Sequence, residues 1–358
     1  MEKGYLLLET GEVFPGILTG NKEEVMGEVV FNTSMTGYQE IMSDPSYAGQ
    51  IIVFCYPLIG NYGVNSHDFE GEKIHVRGIV TGELCTTPNH YSLEDTTEKL
   101  MQEYKVSGLS GVDTRELVKT IRKHGTVKGI ISNEIKEIPT ETTTPFWVKE
   151  VSTLSKRTFA NIGPHIALLD YGYKKSILSA LQQVGCKVTL LPYNTTFEEV
   201  KSLNPAGVVF SNGPGNPEAL TAYLPEIKKI TEVFPSLGIC LGHQLIALAY
   251  GASTNKLRFG HRGGNHPVKE LSTGKVFITS QNHSYVVKEA TIDTSQFDIL
   301  YTNINDGTIE GIRHKYLPIT AVQFHPEANP GPHDTTHLFT NFIESIKEST
   351  EVLTYAIN

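Results

Sequence analysis

Residues 236–250 read SLGICLGHQLIALAY, and the parsing of this stretch decides the fold of the second half of the chain. SLGI is a short apolar run of the kind that makes a buried strand, while Leu241 to Tyr250 has the length and content of a helix. Between them stands Cys240, with Gly238 two residues before it and Gly242 two residues after. A cysteine among Leu, Ile and Ala is commonly a small buried hydrophobe. The glycines admit a second reading. A nucleophile on a tight strand-to-helix turn needs small residues two positions away on either side, and the turn exposes its side chain. A thiol at a helix N-terminus also has its thiolate stabilised by the first backbone N–H groups. On this stretch alone both readings stand.

The strand–helix rhythm extends upstream. IALLD from Ile166 predicts a buried strand, and Lys174 to Val184 a helix with Ile177, Leu178 and Leu181 on one face and Gly185 as its stop. KVTLLP, FEEVKSL and AGVVF then read as strand, short helix and strand, followed by a helix over Ala219 to Val233. Strands separated by helices of this length predict a doubly wound, mostly parallel α/β sheet. In such sheets ligands gather at the C-terminal ends of the strands.

The first half differs in texture. YLLL, ETGEV and FPGIL form an expected hairpin, and runs such as GEVVFN and QIIVFCYP are broken by Gly, Pro and Asp, which predicts a smaller, β-rich α+β domain. Its clearest helix is DTRELVKTIRKHG, with Asp113 as cap, Glu116 completing a capping box and Gly125 as stop. The expected boundaries are a domain over 1–148, a Thr- and Pro-rich linker over 149–164, a second domain over 165–350 and a tail over 351–358.

Composition narrows the class. The 358 residues carry a formal net charge of -9 with 39% hydrophobic and 19% charged residues, the balance of a soluble globular protein. No basic stripe could neutralise nucleic-acid phosphates. The apolar runs are too short to span a bilayer, and no secretory signal is visible at the N-terminus. The four cysteines show no CxxC pair. Neither a disulfide framework nor a zinc site is expected, and a reducing cytoplasm is the natural location.

Two further strand ends carry chemistry. QFHPEA (Gln323–Ala328) follows the strand LPITAVQ. Residues two apart in a strand share a side, so His325 and Glu327 can pair, the carboxylate fixing the imidazole for a nucleophile–base–orienter triad. A histidine beside a proline turn is the plainer alternative. SNGPGNP (Ser211–Pro217) closes AGVVF, and Gly213 and Gly215 around a proline permit N–H groups to turn inward as an oxyanion hole. A simple tight turn is again the alternative. Three such features, each at the end of a separate strand, make coincidence a poor explanation.

GICLGHQ, with SNGPG upstream and QFHPEA downstream, resembles the class I (triad) glutamine amidotransferase domain. FNTSMTGYQEIMSDPSYAGQIIVFCYPLIGNYG and GVDTRELVKTIRKHG are similar to the N-terminal domain of the small subunits of carbamoyl phosphate synthetases. FGHRGGNHPV, TSQNHSYVV and HPEANPGPHD extend that likeness through the second half. The resemblance implies a glutaminase using Cys240, His325 and Glu327, with oxyanion donors at Leu241 and in Gly213 to Gly215. It implies glutamine contacts from Gln244, Asn282, Ser284, Tyr285 and, from the first domain, Ser46. Ser284 stands where the family usually has glycine, which a backbone role tolerates unless its φ is positive. Lys174 occupies a family position near the site.

No phosphate-binding GxxxxGK[ST] loop is present. The resemblance therefore implies that ATP, Mg and bicarbonate belong to a large synthetase subunit receiving ammonia through a tunnel, and that this chain holds no cofactor or metal. Neither His333, Asp334 and His337 (read as a capped helix start) nor His261 and His266 (read as a Gly-rich loop) shows ligand spacing. Cys55, Cys85 and Cys186 read as core. A glutaminase subunit of another synthase would share the second half without FNTSMTGYQE or GVDTREL. A non-catalytic scaffold would be expected to lack Cys240 or His325.

Overall fold

The computed structural model describes residues 2–139 and 145–357. It divides into two compact units, Met1–Pro145 with Arg258–Gly263, and Phe146–Leu257 with Gly264–Asn358.

In the first unit the expected hairpin is present. β1 (Lys3–Leu8) and β2 (Val13–Gly20) pair antiparallel, with Leu6 opposite Phe14. With β3 (Val25–Asn32), β4 (Gln50–Phe54), β5 (Gly78–Val80), β6 (Ser107–Ser110) and β7 (Val127–Ser132), they close a barrel in the order β1-β2-β6-β5-β4-β3-β7. Closure leaves no unpaired edge. Alternate residues of β4 enter two separate apolar clusters. Ile51 and Val53 pack with Leu6, Val29 and Leu109, while Ile52 and Phe54 pack with Tyr38, Ile41 and Met42. Helix α1 (Thr114–His124) adds Leu117 and Ile121 to the first cluster. Its cap is as expected, Asp113 accepting the Glu116 N–H at 2.9 Å, and it stops at Gly125 with φ 94°. The Glu116 carboxylate pairs with Lys119 at 3.0 Å instead of completing the box.

The second unit is built on a ten-stranded sheet. Its strands are β8 (Arg157–Phe159), β9 (His165–Asp170), β10 (Lys187–Pro192), β11 (Gly207–Phe210), β12 (Ser236–Ile239), β13 (Thr254–Glu270), β14 (Val276–Val287), β15 (Phe297–Asn303), β16 (Ile309–His314) and β17 (Ile319–Val322). The order is β8-β10-β9-β11-β12-β17-β16-β15-β13-β14. Strands β10, β9, β11, β12 and β17 run parallel, and the chain order reverses between β9 and β11, the mark of a doubly wound sheet. From β17 through β16 and β15 to β13 the pairing is antiparallel, so the parallel region is the centre and not most of the sheet.

Alternation along the strands sends residues to opposite faces. Ile166, Leu168 and Val209 meet Ile177 and Leu181 of α2 (Lys175–Gln183) and Phe339, Phe342 and Ile343. Ala167, Leu169 and Val208 meet Val200 of α3 (Phe197–Ser202), Ile227 and Ile230 of α4 (Leu224–Val233) and Leu245 of α5 (Leu241–Ala249). The long helix expected over Ala219 to Val233 is two pieces, a 3-10 stretch over Pro217–Tyr223 and then α4.

Several boundaries differ from expectation. Residues 149–164 are not a bare linker, since Trp147–Val151 is helical and β8 pairs antiparallel with β10 within the second unit. An edge strand with exposed Arg157 and Thr158 looks like linker in sequence because only one side of it is held. The expected tail at 351–358 continues α6 (His337–Ile357) up to Ile357, and Asn358 lies outside the described residues. His261 and His266 lie in β13, not in a loop. The Asp334 carboxylate accepts the Ile278 N–H at 3.3 Å. Cys186 is buried in the core, but Cys55 and Cys85 are only partly buried.

Candidate functional site

The C-terminal ends of β9, β11, β12 and β17 place the expected residues. At the end of β12, Cys240 adopts φ 53° and ψ -102°. A non-glycine residue in this region costs about 1–3 kcal/mol and persists only where its surroundings impose it. Those surroundings are visible. The Cys240 N–H donates to Val322 O at 2.8 Å, while its carbonyl accepts the Gln244 N–H at 3.2 Å and opens α5. The flanking glycines are steric requirements. A Cβ on Gly242 would lie 2.1 Å from Phe210 O, and one on Gly238 would lie 2.9 Å from the Gly242 backbone. Helix and strand approach too closely for any side chain there.

The turn after β11 lies against the same helix start. Gly242 N–H donates to Ser211 O at 3.0 Å. A Cβ on Gly213 would meet Tyr171 O at 2.2 Å and the Leu241 side chain at 2.9 Å, so Gly213 and Leu241 are neighbours. Gly215 turns the chain with φ +92°. Gly213 is thereby placed against the residue that follows Cys240.

After β17, His325 Nδ1 and Glu327 Oε1 are 2.6 Å apart, and both residues are buried. The reason for the pairing differs from the alternation predicted in sequence. β17 ends at Val322, and His325-Pro326-Glu327-Ala328 is a turn closed by Ala328 N–H donating to His325 O at 3.1 Å. His325 is held in place by a bridge to β14, its N–H donating to Ser280 O at 3.0 Å.

Lys174, at the start of α2, completes a buried chain. Its ammonium lies 3.2 Å from Glu327 Oε1 and also donates to the Ala328 carbonyl. Burial alone would raise the Glu327 carboxyl, but the Lys174 ammonium and the His325 imidazole outweigh it and hold the group well below the usual carboxylate range. Burial alone would lower His325. The Glu327 carboxylate and the Cys240 sulfur together win and raise it well above the ordinary imidazole value. The charged pair, imidazolium and carboxylate, is therefore the favoured state.

The sulfur itself has two near partners. Cys240 Sγ is 3.6 Å from Asn282 O and 3.6 Å from Gln323 Nε2. His325 Nε2 makes no hydrogen bond of normal length, although the sulfur is near enough to act on its charge. Asn282, Ser284 and Tyr285 all lie on β14. Ser284 is not among the residues with positive φ, so a serine there is unstrained. Gln244 Nε2 donates to Tyr285 O at 2.7 Å and to Gln323 Oε1 at 2.9 Å. Ser46 belongs to the first unit, where it sits buried in the 3-10 turn Pro45–Tyr47 with its N–H donating to Asp44 Oδ1 at 2.9 Å. Sequence reasoning passed over Gln323, though it stands two residues before His325, the same spacing that drew attention to Glu327.

Among the described residues no helix is long and apolar enough to cross a membrane. Two family models match the chain, "Carbamoyl-phosphate synthase small chain, CPSase domain" over residues 6–131 and "Glutamine amidotransferase class-I" over residues 167–345. The carbamoyl phosphate synthase arginine-specific small chain of Halalkalibacterium halodurans is 49% identical over 358 residues, covering 99% of this chain and 100% of that one. The pyrimidine-specific small chain of the same organism is 47% identical over 357 residues, covering 97% and 98%. A solved structure of a putative GMP synthase component from Thermoplasma acidophilum matches 53% of this chain and 98% of its own at 25% identity, with a TM-score of 0.46. With a glutamine amidotransferase second half joined to a first half of the synthase type, this chain belongs to the carbamoyl phosphate synthase small chain family.

Proposed function

We propose that the chain is the glutamine-hydrolysing subunit of a carbamoyl phosphate synthase, with Cys240 as nucleophile, His325 as proton carrier and Glu327 as the group that orients and charges His325. The observation that carries this reading is the backbone of Cys240, a strained turn between two glycines that tolerate no side chain.

The steps follow from the positions. The Cys240 sulfur attacks the side-chain carboxamide carbon of L-glutamine, and the C–S bond forms as the C=O electrons move to oxygen. Backbone N–H groups of Leu241 and of Gly213 or Gly215 hold that oxyanion, and removal of one such donor costs on the order of 10²-fold or more in rate. His325 gives its proton to the amide nitrogen, the C–N bond breaks and ammonia leaves, with a γ-glutamyl thioester remaining. Water then attacks the thioester while His325 takes its proton, the C–S bond breaks, and glutamate departs. Asn282, Ser284, Tyr285 and Gln244 are assigned to glutamine binding.

These steps need no cofactor or metal from this chain. Carbamoyl phosphate formation requires ATP, Mg and bicarbonate, which we assign to a large subunit that receives the ammonia through a tunnel. The complex would act in the cytoplasm and supply arginine and/or pyrimidine synthesis, in keeping with the near-equal likeness to small chains named for each. A glutaminase subunit of another synthase is disfavoured by the match over residues 6–131.

Glutamate release from glutamine by wild type and Cys240→Ser tests the reading. We expect loss of turnover in the variant by on the order of 10³-fold or more, and equal rates would overturn it. The isolated chain is expected to turn over slowly and to accelerate when the large subunit is added. Equal turnover with and without that subunit would remove the partner from the proposal.

A further inference from the structure

Cys240 is in contact with a side chain that the proposed steps do not use. Gln323 is fully buried at the end of β17, and three contacts fix it. Its backbone N–H donates to Glu310 O at 2.9 Å, its Oε1 lies 2.9 Å from Gln244 Nε2, and its Nε2 lies 3.6 Å from Cys240 Sγ.

The direction of the two amides follows from chemistry. A backbone carbonyl can only accept, so the end of Gln244 that lies 2.7 Å from Tyr285 O must be its NH₂. The second hydrogen of that NH₂ points to Gln323, so the facing atom of Gln323 must be its carbonyl oxygen. The opposite end of Gln323, the one beside the sulfur, is then NH₂. One carbonyl on β14 thus orients two glutamines in series, and the series ends with an N–H aimed at the nucleophile.

Of the sulfur's other neighbours, the His325 imidazolium favours a thiolate through its charge, while Asn282 O can accept a hydrogen bond from the thiol and has nothing to offer a thiolate. The Gln323 N–H keeps its favourable contact in both states and strengthens it when the sulfur is charged. We propose, on the basis of the nucleophile reading above, that Gln323 is a positioning residue for Cys240, its amide N–H oriented through Gln244 and Tyr285 O so as to favour the thiolate and hold it in place.

The test combines the pH dependence of Cys240 alkylation by iodoacetamide with glutaminase kinetics in the assembled complex. Gln323→Met fills similar volume without the N–H. It should shift the alkylation midpoint about one pH unit upward, which is about tenfold less thiolate at pH values below the wild-type midpoint. kcat should fall by about the same factor and recover as pH rises, while KM for glutamine changes much less. Gln323→Glu keeps an oxygen for Gln244 and puts an acceptor against the sulfur, so its shift should be at least as large. If the methionine variant does not fold, the glutamate variant and Gln323→Asn, which withdraws the amide by one methylene, supply the same measurement. Unchanged alkylation and kcat profiles in the folded variants, or a change in KM alone, would overturn the proposal. Cys240→Ser separates the two levels. If it is inactive while the Gln323 variants keep the wild-type profile, only the role of Gln323 fails, whereas an active Cys240→Ser removes the nucleophile reading itself.

Discussion

The first unit closes its strands into a barrel, and the second leaves its sheet open. In the barrel the strands pair round the ring, and apolar clusters on both sides of β4 hold it together. In the open sheet the same kind of apolar packing covers both faces, but the tips of the parallel strands are free to carry something else. There the chain buries an ammonium, a carboxylate and an imidazole in contact with one another. Hydrophobic packing supplies the stability of both units. The open sheet adds a row of strand ends where ionised groups are held out of water, and such groups are held by each other.

That contrast can be broken by removing the charge at the centre of the second unit. Lys174→Met leaves the Glu327 carboxylate buried beside an imidazole alone. Loss of one partner of a buried pair typically costs about 3–5 kcal/mol, so the denaturation midpoint should drop markedly and glutaminase activity should fall with it. A variant as stable and active as wild type would show that the strand tips do not depend on the pair. In the barrel, Leu109→Ala should cost about 3 kcal/mol through lost contacts and the cavity left behind. Its activity per folded molecule should keep the wild-type pH profile, because no ionised group is touched.

The pH dependence of stability sharpens the comparison. Glu327 is held below the ordinary carboxylate value in the folded chain, so its contribution is complete above about pH 4.3 and is lost as pH falls through the folded value. His325 is raised, so its contribution is complete below about pH 6.5 and is lost as pH rises through the folded value. The stability difference between wild type and Glu327→Gln should therefore be greatest between those limits, at about 2 kcal/mol, and should shrink on either side. Leu109→Ala should show no such window. Thermal unfolding across the pH range measures both.

The smallest effect is expected at Gly215. Nothing lies within 4 Å of a Cβ there, so Gly215→Ala meets only the strain of φ +92°, about 1 kcal/mol. Gly213→Ala, with a backbone oxygen 2.2 Å away, should be the more damaging of the two in both stability and turnover. The reverse order would mean that the turn is shaped by conformation and not by close approach.

Much of this was legible because it is local. The β9-to-α5 alternation, the Asp113 cap and the glycines around Cys240 are all set by residues a few positions apart. What was not legible depends on partners distant in the chain. Barrel closure rests on β1 with β7, where Tyr5 faces Ser132. Ser280 against His325 and Lys174 against Glu327 are likewise invisible to periodicity. The His325–Glu327 pair was predicted from strand alternation and formed by a turn, because Pro326 and the close of β17 end the ladder before Glu327. Gln323 was missed because the contacts that give it meaning, Gln244 and Cys240, lie 79 and 83 positions away in the chain.

The conformation of Cys240 has one more consequence. At φ 53° and ψ -102° the residue best suited to the backbone is glycine, so replacement of the cysteine by glycine would relieve the strain of the turn while deleting the reacting atom and its buried contacts. The backbone by itself therefore favours a silent residue at this position. A chain that keeps sulfur here does so against the preference of its own turn, as a demand on its chemistry would require.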